Sequence, residues 1–126
     1  MTNTEKLYTE DHEWIQLEGD IATLGISAHA AAELGDVVYV DLLSAGESIE
    51  KAGEFGSVES VKTVSGLFSP ISGEIIENNQ AVIDAPESLN VDPENEGWLV
   101  KVKVQDTDGL DDLMSADAYE TYLNTV

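Results

Sequence analysis

Two β-rich runs converge on a single lysine between Phe55 and Phe68. Phe55-Gly56-Ser57-Val58 leads in, Glu59-Ser60-Val61-Lys62-Thr63 reverses, and Val64-Ser65-Gly66-Leu67-Phe68 leads out toward Ser69–Asn78. Short runs of branched and aromatic residues around a small polar turn predict a β-hairpin, with Lys62 at its tip. Val58, Val61 and Val64 are expected to anchor its arms. Such a lysine is open to a modifying enzyme yet held on backbone that does not move, which is what a carrier needs to display a tethered group. By spacing alone a plain solvent lysine is the commoner case. Lys101 and Lys103, on the wet side of a strand, are of that kind.

The rest of the chain supports a β-rich fold. Leu7-Tyr8-Thr9, His12–Leu17 and Ile21–Ile26 read as short strands, the last two joined by a turn at Glu18-Gly19-Asp20. Ser27 is a suitable N-cap for a short helix over Ala28–Leu34, closed by Gly35. Asp36–Leu42 has the density of branched residues expected of a mostly buried strand. Ser44–Glu47 and Lys51-Ala52-Gly53 read as turns. Asn79–Asn90, interrupted by Pro86, reads as a loop with room for one helical turn. From Trp98 to Val104 the chain alternates, with Trp98, Val100, Val102 and Val104 on one face and Leu99, Lys101 and Lys103 on the other. Asp108 can cap a helix holding Leu110, Leu113 and Met114, and Ser115 a second holding Tyr119, Tyr122 and Leu123. Strands separated by glycine turns predict a β-sandwich or flattened barrel with helical additions. At 126 residues one domain is expected, with a core over about 7–104 and a helical extension over about 108–123.

Charge narrows the partners. Asp and Glu number 26 against five lysines, with no arginine, for a formal net charge of -21. That surface repels a phosphate backbone or an anionic membrane, so neither nucleic acid nor membrane is an expected partner. A partner with a basic docking face would be drawn in, although acidity that merely keeps the protein soluble fits equally well. Without cysteine there is no disulfide framework, thiolate metal site or cysteine nucleophile. The N-terminal residues lack a secretory signal and no apolar run is long enough for a bilayer, so a cytoplasmic location is expected. His12 and His29 are far apart in sequence and read as packed or surface residues rather than metal ligands. Asp92–Gly97 looks superficially like a calcium loop, but Lys103 stands where the bidentate glutamate belongs and a strand follows. No phosphate-binding glycine loop or nucleophile motif is present.

Several blocks, in order along most of the chain, carry a resemblance. They are Tyr8–Trp14 with its His-Glu-Trp, Ala22–Ser27, Leu34–Leu42, Phe55–Lys62, Ser69–Asn79, Leu89–Pro93, Glu96–Lys103 and Ala116–Tyr119. Together they resemble the glycine cleavage system H proteins, with Phe55–Lys62 similar to the lipoyl-attachment signature. The resemblance implies a lipoyl-domain-like sandwich of two antiparallel sheets (a barrel-sandwich hybrid) with a short internal helix and C-terminal helices. It also implies covalent lipoic acid on Lys62, and a carrier rather than a catalyst, monomeric. Its partners would be the pyridoxal-phosphate glycine decarboxylase (P protein), which loads an aminomethyl group, and the tetrahydrofolate-dependent aminomethyltransferase (T protein), which removes it. Dihydrolipoyl dehydrogenase (L protein), which reoxidises the arm, and the lipoylating enzyme complete the set. Glu59, three residues before Lys62, falls where the family has a glutamate linked to recognition by the lipoylating enzyme. Glu13 falls at a glutamate lining the cleft that shelters the loaded arm. The pattern departs at Ser65-Gly66, where the family usually has an acidic residue after the serine and uses it to help hold the arm.

Read without the resemblance, Glu13 and Glu59 are equally well exposed strand carboxylates. Three rival classes also stay open: a biotin carrier, against which Val61 and Thr63 argue because methionine usually frames that lysine; an H-like protein that mainly relays lipoyl groups to other enzymes; and an interaction module with an unmodified Lys62.

Overall fold

The computed structural model describes residues 6–10, 12–51, 53–106 and 113–125. It is mainly β, with two antiparallel sheets that do not close into a barrel among the described residues. The larger sheet runs in the order β1 (Lys6–Tyr8), β2 (Glu13–Glu18), β3 (Ile21–Ile26), β9 (Val100–Asp106), β8 (Ser72–Asn78) and β5 (Ser48–Ile49). The smaller sheet has β4 (Val37–Leu42), β6 (Glu54–Ser60) and β7 (Val64–Phe68), with β6 in the centre. Period-two alternation aims Ile15, Leu24, Val100 and Val102 of the first sheet and Val40, Val58 and Leu67 of the second into one shared core, where Phe55, Ile71 and Ile75 are also buried. Each fully buried large apolar side chain contributes about 1.5–3 kcal/mol.

Helix α1 (Ala28–Leu34) matches its sequence signals. The Ser27 hydroxyl accepts the Ala30 N–H at 3.1 Å, and Gly35, at φ 76°, closes the last turn by donating its N–H to the Ala31 carbonyl. β4 is less buried than its composition suggests. Val38, Tyr39 and Asp41 face solvent, because a register shift between Val37 and Tyr39 breaks the alternation and leaves Val37, Val40 and Leu42 as the inward set.

Two segments differ from expectation. Residues 79–90 hold two short helices rather than a loop with one turn, α2 (Gln80–Asp84) and α3 (Ser88–Val91), on either side of Pro86. Neither helix is long enough to show a period, and both are held by tertiary contacts: Val82 and Leu89 are fully buried, and the Asn79 amide donates to the Glu96 and Trp98 carbonyls. The first expected C-terminal helix is only partly testable, since Asp108 and Leu110 lie outside the described residues, as does Ala52 of the expected turn near Lys51. Where that helix was expected to continue, Met114 is extended instead and exchanges backbone hydrogen bonds of 2.7 and 2.8 Å with Tyr8 on the edge strand β1. The second helix is present as α4 (Ala116–Thr125), with Ser115 Oγ accepting the Ala118 N–H. It packs Tyr119 against Tyr8 and Trp14 in a second apolar cluster. Among the described residues no helix is long and apolar enough to cross a membrane.

Candidate functional site

The turn between β6 and β7 is built around Ser60. Its backbone N–H donates to the Thr63 carbonyl at 2.8 Å, and its hydroxyl accepts the Lys62 and Thr63 N–H groups at 3.2 and 3.1 Å. The Val61 N–H donates to the Asp36 carbonyl at 3.0 Å, tying the tip to the start of β4. Lys62 is therefore exposed, as expected, on a tip whose backbone is fixed on both sides. Its stem lies along Gly35, where a Cβ would stand 3.2 Å from Lys62 Cε.

The anchoring differs from the expectation in one respect. Only Val58 anchors an arm, whereas Val61 and Val64 are 68% and 64% exposed. Val61 lies in the turn beyond the end of β6, and Val64 begins β7 on its solvent side. The anchor is instead the buried Ser60, and a serine three residues before Thr63 is the kind of hydroxyl turn that could have revealed it. Asn90 adds a brace from α3: its side chain donates to the Gly35 carbonyl at 2.7 Å and accepts the Val37 N–H at 2.9 Å.

Glu59 is exposed on the outer face of the smaller sheet. It pairs across the strands with Tyr39 on one side and Val64 on the other, so an acid lies between two exposed apolar side chains beside the lysine.

Glu13 is not an exposed strand carboxylate. It is 4% exposed and accepts the Phe68 N–H at 2.8 Å, joining β2 of the larger sheet to the edge strand β7 of the smaller. It lines a cleft of about 260 Å³ that opens beside the hairpin, walled by His12 and Glu13, by Ala30, Glu33 and Leu34 of α1, and by Thr63 of the turn with Val64–Leu67 of β7. The structure thus brings Glu13 to the same cleft as the strand leaving Lys62, while Glu59 lies on the outer face. At Gly66 the neighbouring strand comes close: Glu54 of β6 reaches across so that a Cβ at Gly66 would stand 2.5 Å from its Oε2. No local pattern announces this, because Glu54 and Gly66 become neighbours only once the β6–β7 register is set.

Sequence reasoning also missed the cluster behind the cleft. His12 has a left-handed backbone, φ 67°, and its ring lies 4.7 Å from that of His29. Its Nδ1 is 2.8 Å from the Tyr119 hydroxyl, which is also 2.8 Å from Ser27 Oγ. Glu94 accepts the Tyr8 hydroxyl at 2.6 Å and the Ala28 N–H at 2.8 Å. Burial, reinforced by the Glu94 hydrogen bond and charge, pushes the Tyr8 hydroxyl well above the usual phenol range. Burial also raises Tyr119, against an opposing pull from its hydrogen bond to Ser27. Both phenols stay protonated.

The chain and its fold have close counterparts. The model of the glycine cleavage H-protein family matches residues 6–126. The glycine cleavage system H protein of Bacteroides thetaiotaomicron is 49% identical over 117 residues, covering 93% of each chain. That of a Cyanothece species is 52% identical over 112 residues, covering 89% of this chain and 87% of the relative. The crystal structure of a glycine cleavage system H protein from Mycobacterium marinum matches with a TM-score of 0.89 at 36% identity, over 96% of this chain and 98% of that one.

Proposed function

The chain belongs to the glycine cleavage H-protein family, and we propose that it is the lipoyl carrier of a glycine cleavage system, with Lys62 as the attachment point. The observation that carries this reading is the pairing of an exposed lysine on a pinned hairpin tip with an acid-lined cleft along the strand that leaves it. The residues fit the group: the lysine is reachable, the tip is rigid and the cleft is of a size to take the end of a short tethered chain. Bound there in amide linkage, a lipoyl group supplies a disulfide that accepts the aminomethyl group derived from glycine.

The chain's own residues do the rest. Ser60 and the Asp36 carbonyl hold the tip in one geometry for the lipoylating enzyme, and Glu59, between Tyr39 and Val64, gives that enzyme a charge to read. Glu13 and Glu33, which line the cleft, give it a negative field suited to a cationic amine. As a carrier of this family rather than a catalyst, the chain would have as partners the decarboxylase that loads the arm, the aminomethyltransferase that unloads it and the dehydrogenase that reoxidises it, all met in the cytoplasm. Tethering keeps the cargo at high effective concentration near each of them.

The test is reconstitution: lipoylated protein mixed with glycine decarboxylase should support exchange of labelled bicarbonate into glycine. Failure of exchange with a fully lipoylated sample would instead favour relay of lipoyl groups to other enzymes.

Glu13→Gln separates attachment from sheltering. The amide oxygen can still accept the Phe68 N–H, so lipoylation of Lys62 should proceed at the wild-type rate. A loaded arm should lose its aminomethyl group to water about tenfold faster, the size expected when a charged hydrogen bond is neutralised. Formaldehyde release over time measures it, and an unchanged rate would remove Glu13 from the arm's shelter.

A further inference from the structure

Three side chains remote in sequence meet behind the cleft, and their hydrogen positions can be deduced. Ser27 is fully buried, and its oxygen already accepts the Ala30 N–H. Among the described residues the only other partner within reach of its hydroxyl is the Tyr119 oxygen, at 2.8 Å. No buried side-chain nitrogen or oxygen among the described residues lacks a partner. Because a buried hydroxyl hydrogen left without an acceptor is costly, we assign Ser27 as the donor to Tyr119, whose own hydrogen then falls to His12 Nδ1, 2.8 Å away. On that assignment Nδ1 accepts, and the His12 ring is neutral with its proton on Nε2.

This chain of donors joins two walls of the cleft. Ser27 caps α1, which contributes Ala30 and Leu34, while His12 adjoins Glu13 on the opposite side. The Ser27 N–H also donates to the His12 carbonyl at 2.9 Å, so the two walls are joined through backbone as well. The phenol that completes the link comes from α4, 107 residues along the chain from His12. A neutral His12 matters for the cleft because an imidazolium there would offset the Glu13 charge and repel a cationic amine.

We propose that Tyr119 is a positioning residue for the arm cleft: its hydroxyl ties α1 to the segment before β2 and holds His12 in the neutral, Nε2-protonated form. The C-terminal helix is then part of the sheltering device rather than an ornament on the sandwich. This rests on the carrier reading for its functional meaning, but the tautomer assignment stands apart from it.

The experiment compares Tyr119→Phe with Tyr8→Phe. Tyr8 stacks on Tyr119 at 4.5 Å between ring centroids and braces the same helix, yet its hydroxyl bonds Glu94 and does not line the cleft. On unmodified protein, ring 15N shifts of His12 should show Nε2 protonated in the wild type and in Tyr8→Phe, and a mixture of tautomers in Tyr119→Phe. On lipoylated, loaded protein, hydrolytic loss of the aminomethyl group should rise about fivefold in Tyr119→Phe, as expected for one buried hydrogen bond, and by a clearly smaller factor in Tyr8→Phe, whose hydroxyl reaches α1 only through Glu94. A wild-type-like His12 tautomer in Tyr119→Phe would overturn the proposal, as would equal release from the two variants, which marks a merely structural role. Failure of the carrier reading is separately visible: the wild type itself would take no lipoyl group on Lys62, while the His12 shifts would still decide the tautomer lock.

Discussion

Lys62→Arg should fold as the wild type does and gain no lipoyl group, leaving glycine–bicarbonate exchange at background. Arginine keeps the positive charge and a stem able to lie against Gly35, and the Ser60 turn uses only the backbone of position 62. The tip should therefore keep its shape, and unfolding free energy should change by no more than about 0.5 kcal/mol, as for other exposed positions. What is lost is chemical: a guanidinium is not acylated where an amine is, so no tethered group can be attached. Intact mass, urea unfolding and the exchange assay on one preparation check all three parts. Exchange that survives the substitution would leave the chain as an interaction module whose lysine is incidental.

Trp14→Ala should be the most damaging single change to stability. Trp14 is 1% exposed, packed with Tyr8 and Tyr119, and lies flat against β3 where Gly25 leaves room for it. A Cβ at Gly25 would stand 2.6 Å from the indole, so the strand and the ring are fitted to one another. Removing the ring opens a cavity and costs about 3–5 kcal/mol by analogy with other buried aromatics. It also strips the Pro93 carbonyl of its indole N–H donor, at 3.1 Å. Against a typical total of about 5–15 kcal/mol, that is a large share. The urea midpoint should fall by roughly 2 M. The fraction that remains folded should still accept a lipoyl group, because the hairpin belongs to the other sheet. A loss below about 1 kcal/mol would mean that the aromatic cluster repacks.

What could be read in advance follows the range of the interactions. β3 and α1 were legible because their determinants are local: alternation between Ile21 and Ile26, a serine cap and a glycine stop. Helices α2 and α3 were not, since four or five residues show no period and their stability comes from burying Val82 and Leu89 in a core made by other segments. Lys62 on its tip was legible from the runs around it, but its true anchor was misjudged, because valines were weighed above a serine whose value lies in hydrogen bonds. The burial of Glu13 had no local sign at all. The Phe68 N–H that it accepts lies 55 residues away, and an acid beside tryptophan in a strand reads as solvated. The Glu54–Gly66 contact and the Ser27–Tyr119–His12 chain were hidden for the same reason.

The acidity finds a partial account in these contacts. Glu13, Glu54 and Glu94 each have a defined place, two of them as hydrogen-bond acceptors for distant backbone and one over a glycine. The exposed remainder is available to basic docking faces, whose effect would be mainly on encounter rates and would weaken with salt.

The most direct test of the carrier account is an intact mass of the protein from cells that lipoylate their other carrier proteins, followed by peptide mapping across Glu54–Phe68. The account predicts a single lipoyl increment, located on Lys62 and absent from Lys6, Lys51, Lys101 and Lys103. An unmodified Lys62 in such cells, or an increment on another lysine, would contradict it.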